Sequence, residues 1–271
     1  MGAARRGRAT ARQAGRLNRS LPAAIAAVGL LGALTACGPS VSLPSQDQSK
    51  GSAFGAAGTA NKARTIADIK QSGQLKVAVF SDKAPFTYVD KDGKYQGYDI
   101  YFAEGLAKDL GVKTDYTSVD PATRVDVLAS NRVDVTLANF TVTRERKEKV
   151  DFAKPYMKVA LGVVSPDSAE IKSLDQLKGK TLILAKGTTA EQYFDLHHEG
   201  ITLQKYDQYA NAYSALLDHR GDAFSTDNTE VQAWAKANKG FSVGISILGG
   251  ESMIAPAVQQ GNKELQDFTN G

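Results

Sequence analysis

Thr181-Leu182-Ile183-Leu184-Ala185-Lys186-Gly187-Thr188-Thr189-Ala190-Glu191 carries a strand, a turn and a helix start within eleven residues. The first five are apolar or β-branched and end against Lys186-Gly187, the pattern of a short buried strand. Thr188 and Glu191 stand three apart, the spacing of a capping box, and predict a helix running through His197. A strand that feeds straight into a helix is the unit of α/β layering, and the rest of the chain repeats it. Downstream, Tyr209 to Leu217 reads as a helix and Ala223 to Ser225 as a short strand. Upstream, Leu75 to Phe80 reads as a strand ended by the turn from Ser81 to Pro85. Asp92-Gly93 turns a hairpin between the short strands of Tyr88 to Tyr95. Ile100, Ala103, Leu106, Ala107 and Leu110 recur at helical spacing and stop at Gly111. Asp120-Pro121 offers an N-cap and first-turn proline for a helix reaching Ala129. Val133, Val135 and Leu137 alternate as a strand that enters a polar turn through Asn139, Thr141 and Thr143. No internal repeat interrupts this alternation, which predicts an α/β chain with largely parallel sheets.

The chain has 271 residues with 33 basic and 29 acidic side chains, a formal charge of +4. Residues 1–37 hold Arg5, Arg6, Arg8, Arg12, Arg16 and Arg19 and no acidic residue. Removing those six leaves 27 basic against 29 acidic residues, a net of −2, so the basicity is local to the N-terminus and no nucleic-acid partner is expected. The single cysteine excludes an internal disulfide framework and a cysteine-rich zinc site.

The six arginines precede the uncharged stretch Leu21 to Ala36, too short at about twenty residues' requirement to span a bilayer. A basic start, an apolar middle and small residues before a cut describe a secretory signal peptide, here residues 1–37. Leu34-Thr35-Ala36-Cys37 also resembles the bacterial lipobox, which implies that Cys37 is lipidated and becomes the first mature residue. Residues 38–62 are rich in Gly, Ser, Ala, Gln and Pro without apolar periodicity and read as a flexible tether. The expected place is the extracytoplasmic face of a membrane.

Four stretches together resemble the family 3 extracellular solute-binding proteins, which serve polar amino-acid ABC importers. They are Gly97-Tyr98-Asp99-Ile100, the run from Arg132 through Asn139-Phe140-Thr141-Val142-Thr143-Arg144-Glu145-Arg146 to Phe152, Lys186-Gly187-Thr188-Thr189, and Gly221 through Asp227-Asn228. A closer likeness, to the cysteine-binding lipoprotein branch, rests on Val79 to Lys83, Pro155 to Val163, Lys205 to Gln208 and Ile254 to Val258. The resemblance implies a two-lobed, type II periplasmic-binding-protein-like fold with a hinge of two crossings near Lys158 and Ser252. Lobe one is then residues 63–157 and 254–271, and lobe two residues 158–253. It implies an amino-acid ligand, ABC permease subunits as partners, and a monomer. Tyr101 departs from the family signature, which has an acid there, and a change at a lobe surface is expected. Relatives of this family continue past the position of Gly271, so the element closing lobe one is expected to be short.

An amino-acid zwitterion in a closed cleft needs a fixed cation and a fixed anion, because either charge buried alone costs several kcal/mol. The resemblance makes Arg146 the carboxylate clamp, a role its planar fork suits better than lysine would. By charge pattern alone, Arg144-Glu145-Arg146-Lys147-Glu148-Lys149 is a solvated run, and Arg144 and Lys147 are read as surface. Asp227 takes the ammonium by the same implication; as plain sequence it is also an Asx-turn residue before Thr229. Thr188 and Thr189 stand at a helix N-terminus that favours an anion. Asn139 and Thr141 are implied to bond the ligand main chain. Phe86, Phe140, Tyr88 and Lys83 from lobe one, with Lys186 and Asn228 from lobe two, are candidates for the side-chain pocket. The branch resemblance points to cysteine or cystine, while a lysine pair would equally serve glutamate or aspartate.

No cofactor or metal is expected: His197, His198 and His219 lack acid or cysteine partners at ligand spacing. Trp234, near Val231, reads as core. The rival classes are an enzyme on the same scaffold, such as a periplasmic cyclohexadienyl dehydratase, and a sensor or adhesin. An enzyme needs a general acid or base beside the carboxylate site, and Asp227 is the one carboxylate within the matched cleft motifs.

Overall fold

A computed structural model of the protein describes residues 62–271. The signal segment, Cys37 and all but the last residue of the tether therefore lie outside the described residues. Among the described residues no helix is long and apolar enough to cross a membrane.

The first lobe opens with α1 (Ile66–Ser72), where Thr65 and Asp68 cap reciprocally, and β1 (Gln74–Val79). A small antiparallel sheet follows, β2 (Asp82–Lys83), β3 (Thr87–Val89) and β4 (Tyr95–Gln96), turned by Asp92-Gly93 as expected. Helix α2 (Tyr98–Leu110) buries Ile100, Ala103, Ala107 and Leu110 and ends on Gly111 in the left-handed conformation. Tyr101, the departure from the family signature, is 76% exposed. After β5 (Lys113–Ser118), the expected Asp120-Pro121 start gives way to a turn, and α3 (Arg124–Ala129) begins four residues later. The Asp120 carbonyl accepts the amides of Thr123 and Arg124, so residues 120–123 form a hydrogen-bonded turn ahead of the helix. Then come β6 (Val135–Thr136), the one-turn α4 (Arg144–Lys147) and β7 (Val150–Phe152).

The chain crosses to the second lobe on β8 (Met157–Pro166), continues through β9 (Thr181–Ala185), α5 (Thr189–Leu196), β10 (Thr202–Tyr206), α6 (Tyr209–Leu217), β11 (Ala223–Asp227) and α7 (Asn228–Ala237), and returns on β12 (Phe241–Ile254). It closes with β13 (Ala257–Gln259) and α8 (Lys263–Thr269) in the first lobe. The two main sheets have orders β5-β1-β6-β13-β7 and β10-β9-β11-β8-β12.

Each sheet is parallel in one half and antiparallel in the other, which corrects the expectation of largely parallel pairing. β1 pairs parallel with β5 and β6, and β9 with β10 and β11, while β13, β8 and β12 join antiparallel. The cause is the double crossing. A strand that leaves a lobe and one that returns to it run in opposite directions side by side, and β8 and β12 pair from Met157↔Ile254 to Pro166↔Phe241.

Lobe one is packed on Leu75, Val77, Val79, Ile100 and Leu265, and lobe two on Val163, Leu182, Leu184 and Phe194. Another cluster joins Phe80 and Phe140 of lobe one to Tyr209, Phe224 and Val231 of lobe two. Trp234 packs against that cluster, stacked on Tyr213 with ring centroids 4.7 Å apart.

Gly97 holds the start of α2 against the Pro85-Phe86 backbone. Its φ is +120°, and an added Cβ would lie 2.3 Å from the Phe86 carbonyl oxygen. Strained backbone plus a clash with main chain costs about 3 kcal/mol or more. Gly97→Ala is expected to lower the melting temperature by roughly 5–10 °C, read by circular dichroism. An unchanged melt would mean that this approach does not constrain the fold.

Candidate functional site

The polar turn after β6 delivers its side chains to the face where the lobes meet. Asn139 has a left-handed φ of 43°, and its amide N–H donates to Asp99 at 2.8 Å. Asp99 is fully buried at the head of α2 and also accepts the hydroxyls of Tyr156 and Thr87. Burial pushes its carboxyl upward, and these three donors oppose that shift. The side-chain amide of Asn139 crosses to the Asp227 carboxylate at the end of β11. Asp227 is the residue preceding α7, yet its side chain makes no cap bond; it is buried in the cleft.

Arg146 is the single buried side chain of its charged run, because α4 makes one turn and directs only that position inward. Its guanidinium donates to the Thr141 carbonyl at 2.8 Å and, across the lobes, to the Gly187 carbonyl at 3.0 Å. Burial, and then the charge of Arg124, pull its pKa below the ordinary arginine range. Arg124 is itself buried and donates to the carbonyls of Ala138 and Asn139 at 2.8 and 3.3 Å. Both guanidiniums lie over the ring of Phe140, at 4.7 Å for Arg124 and 5.0 Å for Arg146. Phe140 is thus a buried platform packed on Phe152, and it carries two cations. Among the described residues neither guanidinium has a carboxylate within ion-pair distance. The Arg124 Nε and the Asn139 Oδ1 are buried without a hydrogen-bond partner. This arrangement offers donors to an anion and acceptors to a cation only a few residues apart.

Thr188 caps α5: its hydroxyl accepts the Glu191 amide at 3.1 Å and donates to the Ala185 carbonyl at 2.7 Å. Glu191 reaches back to the Gly187 amide instead of the Thr188 amide, so the capping box is displaced by one residue. Gly187, with φ +72°, lets the Pro121-Ala122 backbone of lobe one approach; a Cβ there would sit 2.4 Å from the Ala122 Cα. Thr189 shares with Asp227, Tyr193, Leu248 and Ser252 the lining of a cavity of about 160 Å³ beside the crossing strands.

Lys83 is fully buried, and its ammonium pairs with Glu230 of α7, on the other lobe. Burial is the largest influence and works against that charge, but Glu230, Tyr209 and Asp227 together raise the lysine's pKa. Lys186 points outward and pairs with Asp207 at 2.9 Å on the surface. Asn228 is bonded to the Ala160 amide and the Ser246 carbonyl, on the crossing strands. Phe86 is buried and its carbonyl accepts the Asp99 amide, whereas Tyr88 is half-buried in the small sheet. Arg144 and Lys147 are exposed.

Sequence reasoning missed Arg124, Glu230 and Tyr209. A signal existed for Arg124, which lies four residues before Leu128 on the inward stripe of α3. Glu230 and Asp99 also correct the count of cleft carboxylates, which took Asp227 alone; both are engaged by protein donors. Among the described residues no group of His, Cys, Asp or Glu is arranged to hold a metal ion.

The profile of the bacterial extracellular solute-binding proteins, family 3, matches residues 75–271, and the protein belongs to that family. Among its relatives, the glutamine-binding protein GlnH of Bacillus subtilis is 29% identical over 80% of this chain and 85% of its own. The L-cystine-binding protein TcyJ of Escherichia coli is 31% identical over 74% and 77%. A crystal structure of a solute receptor for L-cysteine from Neisseria gonorrhoeae superposes with a TM-score of 0.75 at 49% identity, covering 77% of this chain and 86% of that one. The fold is accordingly the two-lobed type II form of the extracellular solute-binding proteins, and the three relatives named are described as binding glutamine, L-cystine and L-cysteine.

Replacing Glu230 by leucine leaves the Lys83 ammonium buried without an anion, a loss of about 3–5 kcal/mol if the cleft stays shut. Opening the lobes rehydrates the lysine at lower cost. Glu230→Leu is therefore expected to raise the radius of gyration in small-angle scattering. A variant that remains as compact as the parent while losing the full stability would show that the lobes do not separate.

Proposed function

We propose that the protein is a lipid-anchored extracytoplasmic receptor that captures a polar amino acid, cysteine or cystine foremost, and delivers it to an ABC importer. The observation that carries this reading is the pair of buried guanidiniums, Arg124 and Arg146, without a carboxylate partner and linked through Asn139 to buried Asp227 of the other lobe. A cation removed from water costs several kcal/mol until an anion meets it. The α-carboxylate of an amino acid supplies that anion, and its ammonium meets Asp227.

In this mechanism Arg146 clamps the carboxylate, with Arg124 beside it. Thr188 and Thr189 bring the amides at the head of α5. Asn139 and Thr141 bond the ligand main chain, and Phe140 supports the clamp from below. Lobe one spans residues 63–157 and 254–271, lobe two 158–253. Because the cation comes from one lobe and the anion from the other, the zwitterion binds the closed form better than the open one. That difference in affinity is what the membrane subunits of an importer read. The 49% identity with an L-cysteine receptor, against 29% with a glutamine-binding protein, supports cysteine or cystine as cargo. Leu34-Thr35-Ala36-Cys37 supports the lipid anchor at Cys37.

Calorimetric titration of residues 38–271 against the amino acids tests the reading. At least one is expected to bind tighter than about 1 mM, roughly −4 kcal/mol, and none doing so would refute it. Arg146→Ala is expected to abolish that binding with little change in melting temperature; an equal loss of fold would make Arg146 structural. Separately, Cys37→Ser is expected to move the protein from the membrane to the soluble fraction.

A further inference from the structure

Lys83 belongs to lobe one, but every polar partner of its ammonium belongs to lobe two. The ammonium pairs with Glu230, donates to the Thr226 hydroxyl at 3.3 Å and lies 3.6 Å from the ring centre of Tyr209. Glu230 in turn accepts the hydroxyls of Thr226 at 2.9 Å and Tyr213 at 3.1 Å. A buried carboxylate, an aromatic face and two hydroxyls together make a socket for an organic cation.

That socket adjoins the amino-acid cleft. Thr226 directly precedes Asp227 on β11. Tyr209 packs edge-on against Phe80, with centroids 5.5 Å apart, and the Arg124 guanidinium lies 5.4 Å from the centre of the Phe80 ring. The socket therefore stands one aromatic ring away from the guanidinium pair.

We propose that Lys83 is a built-in occupant of this cation socket that closes the side-chain end of the cleft and sets its selectivity. It rests on the amino-acid reading above and narrows it. A ligand with a basic side chain finds the socket filled, and displacing Lys83 leaves either that ammonium or the incoming charge unpaired. An acidic side chain gains nothing from Lys83, whose charge Glu230 already balances. A second zwitterion, as in cystine, meets the same closed end. The class admitted has a short, uncharged side chain, and among the sulfur amino acids that is cysteine over cystine.

The experiment compares the parent, Lys83→Ala and Lys83→Ala/Glu230→Gln by calorimetry and thermal melting. The probes are L-cysteine under reducing conditions, L-cystine, L-glutamine, L-arginine and n-propylammonium chloride. The parent is expected to prefer L-cysteine and to ignore n-propylammonium. Lys83→Ala is expected to shift preference toward L-arginine by about ten- to a hundredfold, and n-propylammonium should raise its melting temperature. In the double variant both effects should vanish, while L-glutamine gains relative to L-cysteine. A parent that binds L-arginine or L-cystine as well as L-cysteine overturns the proposal. So does a folded Lys83→Ala with unchanged selectivity and no response to n-propylammonium. If Lys83→Ala does not fold alone, the double variant decides, and an unchanged ratio of L-glutamine to L-cysteine there overturns the proposal. A parent that binds no amino acid defeats the receptor reading instead, and the n-propylammonium melts still test the socket independently.

Discussion

The ion pair between Lys83 and Glu230 joins two lobes through a contact that no water reaches, since both side chains are fully buried. Such a pair exists only while the lobes are together, because neither residue has its partner on its own side. Its net contribution to stability is small, as desolvation offsets most of the attraction. Its effect on geometry is larger. A misplaced lobe would strand two charges, so the pair penalises every closed arrangement except the one that aligns β2 with α7. The neighbouring bonds, Asn139 to Asp227 and Arg146 to the Gly187 carbonyl, are then brought to their places.

The cations of lobe one are handled differently. Arg124 and Arg146 are placed by carbonyls and by the Phe140 ring, and these groups orient a guanidinium without neutralising it. Carbonyl dipoles and a ring quadrupole relieve part of the desolvation. The remainder keeps the site demanding an anion. Among the described residues the cleft thus contains one charge pair that is complete within the protein and two cations that are not. This contrast separates a buried charge pair that is neutralised within the protein from buried cations that are oriented but not neutralised.

Sequence legibility follows the same division. The strand at Thr181–Ala185 and the helix after it are legible because capping at Thr188 and Glu191 is local chemistry. Helix α2 is legible for a similar reason, since its inward stripe and Gly111 stop lie within fourteen residues. Arg146 needed the family motif, because five of the six charges in its run are exposed and the pattern alone reads as solvated. Glu230 was not legible at all: its partner lies 147 residues earlier, and nothing local marks a helix-borne glutamate as buried. The antiparallel halves of the sheets escaped for a topological reason, as strand direction depends on where a chain re-enters a lobe.

The crossing strands couple these features. Ile254 at the end of β12 forms a bridge with Thr141, the Met253 carbonyl accepts the Val142 amide at 2.8 Å, and the Ala255 amide donates to the Phe140 carbonyl at 3.1 Å. The turn that carries the guanidinium platform is therefore stitched to the return crossing. Asp227 pairs with Leu161 on the outgoing crossing, so the opposing carboxylate is fixed to the other strand of the same ladder. Between these points β12 shifts register three times against β8, from Val243 to Ser252, and regains regular pairing at Val159↔Ser252. Irregular pairing there interrupts the ladder on the lobe-two side, while the stitched end stays regular. The guanidinium turn and the Asp227 carboxylate are thereby each tied to the crossing strands by backbone bonds.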